Sequence, residues 1–160
     1  MDAVADRRSP LAPALIALAV VAVAAIGGLA TDTTSAWYSA LDRPSFQPPG
    51  AVFGPVWTVL YLALALSAWL AWRDVDGRTR RTVIALYAAN LVLNLAWTII
   101  FFQLEAPVAA GVEIVVLLGT IVALIALLRH RQRAAAALLV PYAAWVTFAT
   151  VLTWTIAASN

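Results

Sequence analysis

Read from the N-terminus, the chain alternates long apolar runs with short polar clusters. The runs cover roughly residues 11–30, 52–72, 82–103, 106–128 and 134–157. Between them lie TDTTSAWYSALDRPSFQPPG, RDVDGRTRR, QLEAP and RHRQR. About 20 consecutive apolar residues cross a bilayer as a helix. All five runs are too long and too weakly alternating for barrel strands, so the pattern predicts five transmembrane helices. Pro107 falls in the first turn of the fourth, where its missing N–H costs nothing. Gly27 and Gly28, with the TDTT that follows, are read as the end of the first.

Composition supports that reading. The 160 residues are 64% apolar and 11% charged, against roughly 25% charged in soluble domains. So little charge cannot cover a soluble globule, which leaves lipid as the solvent for most of a single domain, residues 1–160. There is no cysteine, hence no disulfide framework and no thiolate chemistry. All basic residues are arginine, and their placement sets orientation. Arg7 and Arg8, Arg73, Arg78, Arg80 and Arg81, and Arg129, Arg131 and Arg133 share one side of a five-span arrangement. Arg43 alone falls on the other. The positive-inside rule then puts the N-terminus in the cytoplasm, and the C-terminus with the long aromatic connection outside. The first run, at about 20 residues, exceeds the roughly 7–15 of a secretory h-region, so it is read as a retained span.

Polar and aromatic residues inside the spans are the candidates for function. Asn90, Asn94 and Trp97 fall at i, i+4 and i+7 on the third helix, with Thr98 beside them. Unpaired amides are costly in hydrocarbon, so this stripe faces protein or a cavity. Interhelical hydrogen bonding is one account of it and a binding site is the other. Trp57 and Tyr61 form a similar pair on the second helix. Tyr142, Trp145 and Ala149 do so on the fifth, with Phe148 alongside. Trp37, Trp69 and Trp72 near the span ends suit interfacial anchoring. Trp97 and Trp145 lie deeper, and interior aromatics with a few amides and hydroxyls describe either core packing or a pocket for a large, flat, apolar ligand.

Catalytic constellations are missing. The single histidine, His130, sits among arginines in a connection, and no metal-ligand spacing or phosphate-cradling glycine loop is present. A haem would find no histidine or internal methionine in the spans, leaving only tyrosine as axial ligand. Glu113 is the one carboxylate well inside a span. A proton or cation path would ordinarily require more than one. The arginine clusters read as topology signals that touch anionic lipid, not as nucleic-acid sites.

The stretch WYSALDRPSFQPPGAVFGPVWTVLY, residues 37–61, resembles the signature of the TspO/MBR family of tryptophan-rich sensory proteins, approximately W-Y-x-x-L-x-K-P-x-W-x-P-P-x-x-x-F-x-P-V-W-x-x-L-Y. The resemblance continues in NLVLNLAWTIIFF and VPYAAWVTFATVLTWTIAASN and covers the chain. It implies an all-α bundle of five transmembrane helices, usually a homodimer, with a pocket capped by the long Pro/Trp-rich first loop. It also implies porphyrins such as protoporphyrin IX as ligands, with no cofactor or metal required. Carried over by position, the pocket includes Tyr38 and Pro48 from the loop, Trp57 and Tyr61, then Asn94, Trp97 and Thr98, and finally Trp145, Phe148 and Ala149. The prolines would stiffen a lid whose aromatics close the site. Arg43 stands where the family has Lys, and Phe46 where it has Trp. Trp154, with no basic residue after it, departs from the sterol motif of the animal proteins.

Three functions follow from the resemblance and the residues. The first is a tetrapyrrole sensor or carrier. The second is light-dependent oxidative breakdown of bound porphyrin, with Trp57 and Trp145 as candidate electron donors. The third is a transporter of small apolar molecules. For the dimer, small residues at Ala106, Ala110 and Gly111, or at Ala17, Ala22 and Ala25, would permit close helix approach.

Overall fold

The computed structural model describes residues 11–160. Its elements are α1 (Leu11–Ala30), a short α2 (Ala36–Ala40), α3 (Gly50–Asp74), α4 (Gly77–Thr98) running on into a π-helical turn (Ile99–Gln103), α5 (Pro107–Leu128) and α6 (Arg133–Ser159). The five long helices are each long and apolar enough to cross a membrane, and no strand occurs among the described residues. The 22 residues of α5 rise about 33 Å, enough for the hydrocarbon core. The protein is thus an integral, multi-pass membrane protein. Arg7 and Arg8 lie outside the described residues.

Local chemistry explains the boundaries. Pro107 occupies the first turn of α5, as the sequence predicted. α3 starts directly after Pro49, two residues before the predicted run. α4 starts at Gly77, five residues early, because Arg78, Arg80 and Arg81 are good helix formers that carry the helix beyond the apolar run. Gly77 has φ +60 and makes the tight turn from α3 possible without a Cβ penalty. α1 ends at Ala30, where the predicted run ends, two residues past Gly28. There the Thr31 hydroxyl donates to the Gly27 carbonyl at 2.8 Å.

Four helices make a ring of contacts in which α5 packs against α4 and α6, and α3 against α6; α1 rests on α3 and α4. The main core runs along this ring. Leu64, Val83, Ile114, Leu117, Ile121, Leu124, Leu128, Leu139 and Val146 are all buried in it. A chain of hydrogen bonds crosses the core. Tyr61 Oη donates to Asn94 Oδ1 (2.6 Å) and Asn94 Nδ2 to Tyr142 Oη (3.0 Å). Tyr142 Oη donates to Asn90 Oδ1 (3.1 Å), and Asn90 Nδ2 to Thr120 Oγ1 (2.8 Å). One network therefore ties α3, α4, α6 and α5 together. Nearer the arginine-rich end, Ser67 donates to the Ala135 carbonyl at 2.7 Å and shares a 2.6 Å hydrogen bond with Tyr87.

The two ends differ. At one, the short connections and the helix ends beside them carry Arg73, Arg78, Arg80, Arg81, Arg129, Arg131 and Arg133. There the guanidiniums of Arg73 and Arg80 lie over the rings of Trp69 and Trp72, at 5.0 and 4.5 Å, as anchoring at an interface requires. At the other end, the 31–49 connection folds over the bundle. Ser35 caps α2 by accepting from the Tyr38 N–H at 3.1 Å, and Tyr38 and Leu41 are buried in a second cluster with Phe101, Ala110, Leu152 and Ile156. Trp37 packs edge-on against Phe101 (5.6 Å) as part of this lid. Two hydrogen bonds fasten the lid and its root at the end of α1. Asn160 accepts from the Asp42 N–H at 3.0 Å, and Gln103 Nε2 donates to the Ala30 carbonyl at 2.8 Å.

A candidate ligand cavity under the lid

Beneath the lid, α1, α3, α4 and α6 enclose a cavity of about 610 Å³, within the roughly 300–1,000 Å³ of small-molecule sites. α5 contributes no residue to it. Tyr38, Trp57, Tyr61, Asn94, Trp97, Thr98, Trp145 and Ala149 all line the cavity. Pro48 lies on an adjoining shallow hollow in the lid. Phe148 sits behind the wall, against Trp145 (5.5 Å) and Phe46 (6.3 Å).

The aromatic walls are arranged in contact pairs. On α3, Trp57 and Tyr61 are one turn apart with ring centroids 5.4 Å from each other. On α4, Trp97 stacks on Phe101 at 5.4 Å and 20°. Trp145 of α6 meets Phe53 of α3 edge-on at 5.8 Å. The π-helical turn matters here. Its extra residue per turn brings both Phe101 and Phe102, which are adjacent in sequence, to the cavity lining.

Polar groups are few and specific. Asn94 lines the cavity while its amide oxygen accepts from Tyr61 and its nitrogen donates to Tyr142. Asn90, on the same sequence stripe, is buried away from the cavity in the interhelical network. The stripe therefore divides: Asn90 joins helices, Trp97 and Thr98 face the cavity, and Asn94 does both. The indole N–H groups of Trp97 and Trp145 are buried with no acceptor in the protein, and so is the carbonyl oxygen of Gln47 in the lid. All three belong to residues that line the cavity. Glu113 is different: both its carboxylate oxygens are buried and unpartnered, yet it does not line the cavity.

Several lining residues carried no sequence signal. The α1 wall is built of Ala17, Val20, Val21, Ala24, Gly27 and Gly28, small apolar residues that look the same whether they face lipid or a ligand. Phe53 and Gln47 lay within the quoted loop motif but stood out neither by period nor by depth. Of the surfaces considered for helix approach, Ala110 and Gly111 are consumed within the chain. A Cβ on Gly111 would lie 2.9 Å from Trp154 Cε2, so the glycine is a slot for that indole.

A five-span helical bundle with a lidded aromatic cavity defines a class of small membrane-embedded proteins with an interior cavity. The TspO/MBR family pattern matches residues 15–158, and the chain belongs to that family. It is 35% identical over 143 residues to the tryptophan-rich protein TspO of Archaeoglobus fulgidus, covering 87% of this chain and 90% of that one. Identity to the human translocator protein is 36% over 126 residues, covering 78% and 75%. The tryptophan-rich protein TspO of Chlorobaculum tepidum is 36% identical over 145 residues, covering 88% and 90%.

Proposed function

We propose that this membrane protein binds a porphyrin or related tetrapyrrole in the cavity under the lid and acts as its sensor or carrier. The observation that carries the reading is the cavity wall itself. Stacked and edge-on aromatic pairs suit a broad π-surface, and the indole N–H groups of Trp97 and Trp145 have no acceptor within the protein. The family's known preference for porphyrins agrees with it. In this reading the arginine-rich end faces the cytoplasm, and the lid with residue 160 faces outward. The protein assembles as a homodimer, for which Ala22 and Ala25, exposed on α1, leave room for close approach.

Titration of purified protein with protoporphyrin IX, in the dark and then under light, tests this. Saturable quenching of Trp emission is the expected result, weakened by replacing Trp97 or Trp145 with Leu. No saturable quenching would end the proposal. If light bleaches the porphyrin bands in wild type but not in the Trp57→Phe or Trp145→Phe variants, the cavity performs oxidative breakdown and the protein is an enzyme.

A further inference from the structure

Arg43 is the single described cation at the lid end, where Asp32, Asp42 and Glu105 are the acidic side chains. None of these acids pairs with it. Its guanidinium lies instead over the Tyr38 ring at 5.1 Å, a contact that uses a face and leaves the N–H edge available. Arg43 lines the shallow lid hollow together with Pro44, Gln47 and Pro48. Gln47 and Gly50 belong to both this hollow and the main cavity, so the two are contiguous. The partition between them is polar. Gln47 Nε2 donates to Tyr38 Oη at 3.0 Å, while its carbonyl oxygen is buried without a donor. The hollow also takes in the first residue of α3, a helix with no side-chain cap and no acid in its first turn. The partial positive charge of that end reinforces Arg43.

We propose that Arg43 and the lid hollow form an anion subsite for a carboxylate carried on the edge of the flat apolar ligand. This rests on the proposed function, with the aromatic cavity holding the ring system. The carboxylate reaches past Gln47 to the guanidinium. The ligand class is therefore an amphipathic acid, with a broad apolar body and at least one ionised tail. A neutral flat molecule would fill the cavity and leave Arg43 unused.

The experiment compares protoporphyrin IX, a free acid, with its dimethyl ester on wild type, Arg43→Gln and Arg43→Lys, by Trp quenching in detergent. The protein-by-ligand cycle cancels differences in partitioning between the two porphyrins. Arg43→Gln is expected to weaken the free acid by about five- to tenfold and leave the ester unchanged. Arg43→Lys is expected to keep most of the preference, and added salt to erode it. Binding of both porphyrins with a ratio that Arg43→Gln does not alter would overturn the subsite alone. A parallel loss of both would likewise overturn it, as a general effect on the lid. If neither porphyrin saturates wild type, the proposed function falls, and the subsite with it.

Discussion

α1 and α5 are both nearly uninterrupted apolar runs, and a hydropathy profile treats them alike. The structure uses them in opposite ways. α5 buries Ala110, Gly111, Ile114, Leu117, Ile121, Leu124 and Leu128 along one face and takes no part in the cavity. α1 buries only Val20 and Gly27, yet supplies a whole wall of the cavity. In lipid there is no hydrophobic penalty for leaving a helix unpacked, so what separates a structural span from a cavity-lining span is the closeness of its contacts. The tightly packed α4–α5–α6 side gives the site a rigid back, and the loosely packed α1 gives it a compliant front.

The contrast is tested most strongly by truncation. Ile121→Ala on α5 should cost about 3 kcal/mol of unfolding free energy in detergent, whereas Val20→Ala on α1 should cost under about 1 kcal/mol because its surroundings can close in. Equal losses would erase the distinction. Next, Gly111→Ala should destabilise by about 2 kcal/mol by overpacking against Trp154. A second change, Trp154→Leu, should recover most of that loss in a double-mutant cycle. Asn90→Ala should cost about 1 kcal/mol by breaking the interhelical chain while leaving porphyrin affinity intact. Asn94→Ala should cost a similar amount and lower affinity as well. Should Asn90→Ala weaken binding as much as Asn94→Ala, the division of the α4 stripe is wrong.

The smallest effect concerns pH at the entrance to the lid. The hydroxyl of Thr34, and then its N–H, donate to the Asp32 carboxylate and hold its pKa below the usual 3.8. A depressed carboxylate contributes stability above its ordinary pKa and loses it as pH falls through the folded value. Asp32 is fully exposed, so only local loosening is expected: protease cleavage within 31–35 should quicken below about pH 3.8 and stay flat above it. Asp32→Asn should abolish that pH dependence.

The spans were legible because lipid demands long apolar runs, and Pro107 marked the start of α5. The aromatic and amide walls on α3, α4 and α6 were legible as well, since Trp57 and Tyr61, or Asn94 and Trp97, repeat at helical spacing. The front wall on α1 was not. Its alanines, valines and glycines satisfy lipid and ligand equally, so no pattern separates the two. The π-helical turn escaped notice because IIFFQ carries no Pro or Gly to mark a break in the α-helix. Gly27 and Gly28 mark the last turn of α1 and do a second job there. In a membrane helix, glycine serves close approach as readily as termination, and Gly27 sits where a Cβ would be 3.9 Å from Thr98 Oγ1.

The hydrogen-bond chain through the core has one direction. From Tyr61 to Asn94, Tyr142, Asn90, Thr120 and on to the Leu117 carbonyl, each member donates to the next. Such a chain is polarised end to end, each bond strengthening its neighbour. Its upstream terminus is a phenol oxygen on the cavity lining, free to accept. A pyrrole N–H bonding there would tighten every link behind it, so occupancy of the cavity would be written as a frequency shift in O–H and amide vibrations of helices the ligand never touches.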